Sequence, residues 1–589
     1  MKEEQIREIF LNKNTSRAFG WVQDSGNLSS LCDVVSVFDS ESAVHSKLVS
    51  EIIPRLISEE DGRNEILSAM SARPLSLKYR MLIGTAFTPR SFARCNGIIQ
   101  AAVKGQKREY ISDWPADNFI RWAHALGFIK YDYGSDCFCI TDKGLELSRS
   151  DSEHQTEIIE NVILSYPPAY RVLSLLSDPD TSLTKFEIGA KLGFSGEDGF
   201  ISYPLRSIVA ALASAKNSRE KSEIRSDWES SSDKYARTIA QWLKHLGFVE
   251  NCTKTVKTEY AGAVFSADMS AFRITPKGER ALKNARGNSR HPRIHKIVSY
   301  EMFATKGRDR EYLRLRRSYI LKFLYEKNRQ VSFADISEYL KSKGLAEQSD
   351  TIKDDIAGLN ATGIDIYADE HGALLEDKII PFEIPVYKIP GTKSELSKEK
   401  DIMRTKLKKV PHEYLVLMDL AYDPKQNRLF EIKSMDLFIN EFGFCGKHLG
   451  GASKPDGILY TDIGNYGIIA DMKAYSKGYA LPVSQQDEMR RYIGNNQKRD
   501  SRINPSKWWE EFPESIKKFY FMFVSGSFKG NTDDKLKKIF METGVKGTAM
   551  AIEAALLTAE SIQQGQLSLA DFAQKIDNTE YKVVSNIYS

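Results

Sequence analysis

Three scarcities narrow this 589-residue chain before any motif is read. Cysteine is rare and scattered, at Cys32, Cys95, Cys137, Cys139, Cys252 and Cys445. Only Cys137 and Cys139 are close, and C-x-C without partners is not a zinc spacing. Such thiols exclude a disulfide scaffold and fit a reducing cytoplasm. Long apolar runs are missing too, so no membrane-spanning helix is expected. The opening Met1-Lys2-Glu3-Glu4-Gln5 carries acids and no apolar stretch, so no secretory signal is expected there. Charge of one sign is the third scarcity. Lys and Arg total 83 against 79 Asp and Glu, a formal net charge of +4. Any contact with a polyanion must therefore come from local clusters. Length alone suggests about three to five domains.

An internal repeat is present. Residues 121–129 read RWAHALGFI and residues 241–249 read QWLKHLGFV. Trp122, Leu126, Gly127 and Phe128 answer Trp242, Leu246, Gly247 and Phe248. Each copy is followed by F-x-I-T-x-K-G, Phe138–Gly144 and Phe272–Gly278. The W-x3-L-G-F spacing predicts a helix whose Trp and Leu share a face, ended by a glycine in a left-handed cap. The F-x-I-T run alternates as a half-buried strand does. Helix, cap and hairpin in that order are the order of a winged helix, a shape that serves DNA binding or protein docking.

A third unit lacks the motif but has the same texture. Tyr319–Tyr325 reads as a helix, Ser332 caps a helix through Leu340, and Thr351–Thr362 forms another. Ile364–Tyr367 then opens a short hairpin. Arg308, Arg310, Arg314, Arg316 and Arg317 crowd the start of this unit. Arg225, Lys234 and Arg237 surround Trp228 in the second. Both clusters are expected to offer a phosphate surface. At Pro381–Thr392 the texture changes to PFEIPVYKIPGT, whose prolines predict an extended tether. Beyond it, helices alternate with strands, the most apolar being Phe519–Val524, which predicts an α/β layer arrangement.

The chemistry lies in KPDGILYT, residues 454–461, a polar DIGN segment, and YGIIADMK, residues 466–473. Two apolar runs flanking a Gly/Asn turn predict a hairpin. With Thr461 opposite Tyr466, Asp456 falls opposite Asp471, β-carbons about 4.5–5.5 Å apart. Asp471 and Lys473 share a face. Two facing carboxylates call for a hard cation with oxygen ligands, Mg2+ above all. Lys473 beside them can position or deprotonate a water for attack on phosphorus. Other chemistries lack their residues. Gly443–Lys447 is too short for a phosphate-cradling P-loop, and His448 has no His or Cys partners. Tyr166–Ala169, YPPA, lacks the polar residue and terminal aromatic of an amino-methyltransferase motif.

On these motifs the chain resembles the FokI-like type IIS restriction endonucleases of the PD-(D/E)xK nuclease superfamily. GKHLGGASKPDG and IIADMKAYSKGYALP carry the resemblance, as do VPHEY (410–414), DEMRRYI (487–493), INPSKWW (503–509) and FVSGSFKGN (523–531). It extends through GWVQ (20–23), RWAHALGF, GFSGE (193–197) and SSDKYAR (231–237), in order along nearly the whole chain. The fold class this implies is multidomain. Winged-helix-like α+β recognition subdomains occupy 1–155, 156–292 and 293–380. A linker at 381–392 leads to an α/β PD-(D/E)xK nuclease domain at 393–589. The resemblance further implies a bacterial cytoplasmic, site-specific deoxyribonuclease. It would bind a short asymmetric double-stranded DNA site and cut outside it with Mg2+.

The resemblance puts Asp456, Asp471 and Lys473 on the catalytic triplet, with Asp456 and Asp471 holding the metal. Asp487 and Arg491 match a salt-bridging pair at a homodimer interface, although their spacing alone reads equally as an i, i+4 pair within one helix. Gln23, Arg90, Trp114, Glu229, Lys234 and Arg237 match positions at the DNA face. Arg or Lys reads guanine and Glu accepts from cytosine. Asp24 and Ser226 replace asparagines of the family. Aspartate only accepts, so a GGATG-like target is implied but its exact sequence stays open. No modification domain is read, so a separate methyltransferase is expected to protect host DNA. The competing readings are a winged-helix DNA-binding regulator with a degenerate nuclease domain and a nuclease selective for DNA shape.

Overall fold

The computed structural model describes residues 19–23, 27–84, 94–227, 231–260, 262–288, 290–385, 393–451 and 453–583. They fall into two compact units. One draws on residues within 1–194, 231–254 and 270–393, the other on residues within 195–230, 255–269 and 394–589.

The repeat becomes two matching modules, which belong to the first unit except for residues 255–269. The first runs α1 (Asp113–Ala125), β1 (Ile129–Asp132), β2 (Cys137–Ile140) and α2 (Asp142–Arg149). The second runs α3 (Ser231–His245), β3 (Val249–Tyr260), β4 (Ala263–Ile274) and α4 (Pro276–Ala285). Both first helices end as the sequence predicts. Gly127 (φ 75°) and Gly247 (φ 73°) are left-handed. Phe128 N–H donates to the Ala123 carbonyl and Gly127 N–H to that of His124, and Phe248 and Gly247 repeat this on Leu243 and Lys244. These are Schellman caps, satisfying carbonyls the helix leaves open.

The T-x-K-G motif has a physical reason as well. Thr141 and Thr275 cap the next helix by accepting from Gly144 N–H and Gly278 N–H. A β-carbon at either glycine would collide with the carbonyl of Phe128 or Phe248. The two modules meet through their tryptophans. Trp122 and Trp242 are fully buried and stacked, ring centroids 4.2 Å apart and 8° from parallel.

The third module comprises α5 (Arg310–Lys327), α6 (Phe333–Ser342), α7 (Ser349–Thr362) and the hairpin β5 (Ile366–Ala368) and β6 (Ala373–Leu375). Ser332 and Asp335 form a capping box on α6. The arginines here are not a DNA surface. Arg314, Arg316 and Arg317 are buried. Arg316 and Arg317 clamp Asp355 of α7, and Arg314 donates to the Ala304 carbonyl at 2.8 Å. Their charge is spent on internal partners, which overturns the expected phosphate surface at these three residues. Of the prolyl stretch, residues 386–392 lie outside the described residues.

The second unit holds a six-stranded sheet. Its elements are α8 (Asn427–Asn440), β7 (Cys445–His448), β8 (Gly457–Thr461), β9 (Tyr466–Met472), α9 (Val483–Lys498), β10 (Lys518–Ser525), α10 (Thr532–Thr543), β11 (Gly547–Ala551) and β12 (Thr579–Glu580). The strand order is β7-β8-β9-β10-β11-β12. The first two pairings are antiparallel and the rest parallel. On one face Ile458, Ile469, Phe521 and Phe523 pack with Met489, Tyr492 and Ile493 of α9 and with Trp508, Trp509 and Phe512. On the other, Gly457 lets Met435 of α8 sit directly on the sheet. Residues within 195–230 join this unit: Arg206 pairs with Asp436, and Gln426 donates to Asp198 at 2.8 Å.

Candidate active site

The hairpin has the register its turn length predicts. Thr461 faces Tyr466, and the pairing runs inward to Gly457 opposite Ala470. Gly464 (φ 85°) and Asn465 (φ 49°) make the turn in left-handed backbone that glycine and asparagine tolerate. One step beyond the last pair, Asp456 comes beside Asp471. Neither is free to swing. The Asp456 carbonyl accepts from Leu449 N–H at 2.8 Å, and its Oδ2 accepts from Met472 N–H at 2.8 Å. Asp471 lies within β9, paired with Phe523 of β10.

Lys473 joins the two carboxylates. Its Nζ lies 3.0 Å from Asp456 Oδ2 and 2.9 Å from Asp471 Oδ1. Its backbone is pinned by Lys473 N–H to the Val524 carbonyl, 2.9 Å, and by Ser525 Oγ to the Lys473 carbonyl, 2.7 Å. Burial pushes the Asp471 carboxyl well above the usual carboxylate range, Asp456 pushes the same way, and Lys473 opposes both. Burial pulls the Lys473 ammonium down, but Asp471 and Asp456 outweigh it and hold it above its ordinary value. Lys473 therefore bridges the two carboxylates, within reach of anything bound between them.

Two carboxylates this close in a poorly solvated place resist ionising together, and a cation between them would relieve that. Among the described residues no three His, Cys, Asp or Glu side chains gather into a metal cage. Two carboxylates suffice for Mg2+, which takes one or two from protein and completes its shell with water and phosphate oxygen. The all-oxygen donor set fits that ion and not zinc. Asp456 and Asp471 could hold it.

Helix α8 adds residues that sequence reading passed over. Asn427 Oδ1 accepts from Ala474 N–H at 2.8 Å, fixing the chain just past Lys473. His448, on β7 opposite Gly457, places Nε2 3.2 Å from Glu431 Oε2. The i, i+4 spacing of Asn427 and Glu431 was the only signal, and it says nothing about partners so distant in sequence.

The remaining expected residues fare differently. Asp487 pairs with Arg490 at 2.6 Å and Arg491 with Glu488 at 3.2 Å, so the i, i+4 pair is not made within the chain. Both side chains stay more than half exposed. Gln23 N–H donates to Asn118 Oδ1, and Asn118 Nδ2 donates to the Trp114 carbonyl, which links Gln23 to the first turn of α1. Trp21 packs on Tyr235, ring centroids 5.0 Å apart, bringing that segment beside the start of α3, where Lys234 and Arg237 lie. Arg90, Glu229, Asp24 and Trp228 lie outside the described residues.

Comparison with known proteins identifies the family. Residues 17–150 match the family described as FokI, recognition domain, subdomain 1. Residues 155–289 match FokI, recognition domain, subdomain 2, residues 303–371 the FokI D3 domain, and residues 393–582 the FokI cleavage domain. Recognition subdomains followed by a cleavage domain define a site-specific endonuclease. The chain is 43% identical over 575 residues to the type II restriction enzyme FokI of Planomicrobium okeanokoites, covering 96% of this chain and 99% of that one. It is 35% identical over 577 residues to the type II restriction enzyme StsI of Streptococcus sanguinis, covering 95% of each. Solved structures of FokI alone and bound to DNA superpose with TM-scores of 0.89 and 0.91, each at 42% identity. These cover 96% and 97% of this chain and all of those chains. The chain belongs to the FokI family of type II restriction endonucleases.

Proposed function

We propose that this chain binds a short, asymmetric, GGATG-like site in double-stranded DNA and hydrolyses phosphodiester bonds outside that site with Mg2+. The observation that carries the reading is the buried Asp456–Asp471–Lys473 cluster, where two neighbouring carboxylates need a divalent cation to ionise together. Asp456 and Asp471 would hold the metal, which when bound supplies Lewis-acid charge to the phosphodiester oxygens. Lys473 would position the attacking water or take a proton from it. In the reaction, water oxygen bonds to phosphorus, one ester P–O bond breaks, and the proton the water gives up ends on the departing oxygen, which leaves as a hydroxyl. The backbone bonds that pin Asp456 and Lys473 hold this geometry before substrate arrives, which is where positioning gains rate.

For reading, Gln23, Trp114, Lys234 and Arg237, with Arg90 and Glu229, would contact the DNA. Lys and Arg suit guanine and Glu suits cytosine. Helix starts such as those of α1 and α3 are suited to phosphates. Cutting both strands calls for a second copy, met through Asp487 and Arg491, and a separate methyltransferase protects the bacterial host.

The test is plasmid DNA incubated with Mg2+ and either wild type or Asp471→Ala. Wild type should give discrete fragments, and run-off sequencing then gives site and offset. Asp471→Ala should lose about a hundredfold or more in rate. Normal cutting by that variant would refute the site. Specific binding without cutting under any divalent metal would make the protein a regulator.

A further inference from the structure

Tyr479 is wholly buried, yet its hydroxyl has no hydrogen-bond partner among the described residues. A phenylalanine would fill the same space without stranding a polar group, so an orphan hydroxyl in a packed layer needs a reason. Its backbone is held firmly. Tyr479 N–H donates to the Ser527 carbonyl at 2.8 Å, and Lys529 N–H donates to the Tyr479 carbonyl at 3.0 Å. Its ring stacks on Tyr475, centroids 5.0 Å apart, and meets Phe523 edge to face at 6.2 Å.

That last contact locates it. Phe523 is the direct neighbour of Asp471 across the β9–β10 pairing. Paired residues on neighbouring strands point to the same face, and such strands run about 4.8 Å apart. Tyr479 therefore belongs to the layer that covers the sheet face carrying Asp471. Burial first, and then Asp471 ahead of Tyr475, Asp456 and Glu488, hold the phenol protonated. The phenol is thus a donor without an acceptor among the described residues, in the layer over the face that carries Asp471.

We infer that the Tyr479 hydroxyl is a positioning donor of the active site: it hydrogen-bonds a water lodged against Asp471 and so fixes that water and that carboxylate. The inference rests on the assignment of Asp456, Asp471 and Lys473 as the cleavage site. Water bound this way needs two or more polar partners, and Tyr479 with the carboxylates supplies them. The role is made for one oxygen atom, so removing that atom alone is the test.

Full-length Tyr479→Phe is compared with wild type and Asp471→Ala in three measurements. These are the single-turnover cleavage rate at saturating plasmid, the affinity for DNA carrying the target site, and the unfolding temperature with and without Mg2+. The expected result for Tyr479→Phe is about a tenfold slower cleavage step, the loss of one hydrogen bond's worth of rate. DNA affinity should be unchanged. The metal-free unfolding temperature should stay within about a degree of wild type, because the hydroxyl's partner is a water and not a group of the fold, and the rise on adding Mg2+ should shrink. Wild-type cleavage rate in Tyr479→Phe would overturn the inference. So would a metal-free unfolding temperature lowered beyond that, which would make the hydroxyl a structural group. If Asp471→Ala cuts normally, the site assignment itself fails. If Asp471→Ala is inactive while Tyr479→Phe is fully active, only the role of Tyr479 fails.

Discussion

Asp355 holds two guanidiniums at once. Arg316 Nε reaches its Oδ2 at 2.5 Å and Arg317 Nε its Oδ1 at 2.7 Å, all three side chains buried. Burial would raise this carboxyl, but the two arginines outweigh it and bring it to about 2. Removing one partner of such a cluster strands a buried charge and costs about 3–5 kcal/mol. Lys296 has no such compensation. It is fully buried, its ammonium has no hydrogen-bond partner among the described residues, and it lies over the Tyr170 ring. Burial pulls it down to about 7, Asp377 and Asp365 oppose this, and Arg293 and Arg286 add to it. The folded value is depressed, so the unfolded chain binds this proton more tightly. The stability tied to Lys296 is complete above the unfolded value near 10.5 and is lost as pH falls toward 7. Lys296→Met should therefore raise the unfolding temperature, by more at pH 7 than at pH 10. Thermal unfolding at the two pH values checks this, and a lower unfolding temperature at pH 7 would show that the amine is needed where it lies.

At the scale of elements, glycine decides how close the layers come. Gly457 opens β8 beside Asp456, and a β-carbon there would run into Met435 of α8. Gly457→Ala should push helix from sheet at the strand that carries the site. Overpacking of this kind costs about 1–3 kcal/mol. Cleavage should fall more steeply than DNA binding, which a gel-shift assay and a plasmid assay on one preparation would separate. Equal losses would mean that the whole chain, not the site, had suffered. The elements also show what a sequence can disclose. The glycine caps, the T-x-K-G corner and the β8–β9 register were legible because each depends on partners a few residues away or on the length of one turn. The partners of Arg316 lie 31 and 39 residues away, and Asn427 holds an amide 47 residues on. No local pattern encodes those distances. The partner of Asp487 escaped for a subtler reason: Arg490 and Arg491 are both within helical reach, and side-chain rotamers choose between them.

For the whole molecule, the argument turns on counting sites against strands. The nuclease sheet carries one Asp456–Asp471–Lys473 cluster, and a duplex has two strands to cut. In the dimer proposed above a second copy would supply the second cluster, and a symmetric pair would use the same face twice. The face implied by Asp487 and Arg491 is suited to this. Both side chains are more than half exposed, and among the described residues their ion pairs are i, i+3 ones within α9. Arg490 ties α9 to α10 through Glu542, making one surface of two helices, and Val483 and Met541 lie exposed on them. Exposed ion pairs of this kind are worth about 0–1 kcal/mol, so exchanging them for contacts across an interface costs little. The double variant Asp487→Ala, Arg491→Ala should keep wild-type affinity for a duplex carrying the target. Its double-strand cleavage should fall about tenfold or more at low enzyme concentration and recover as enzyme is raised, because a weaker dimer is restored by mass action. Cleavage rate against enzyme concentration, for both proteins on one plasmid, measures this directly. A variant that matches wild type at every concentration would remove Asp487 and Arg491 from the interface.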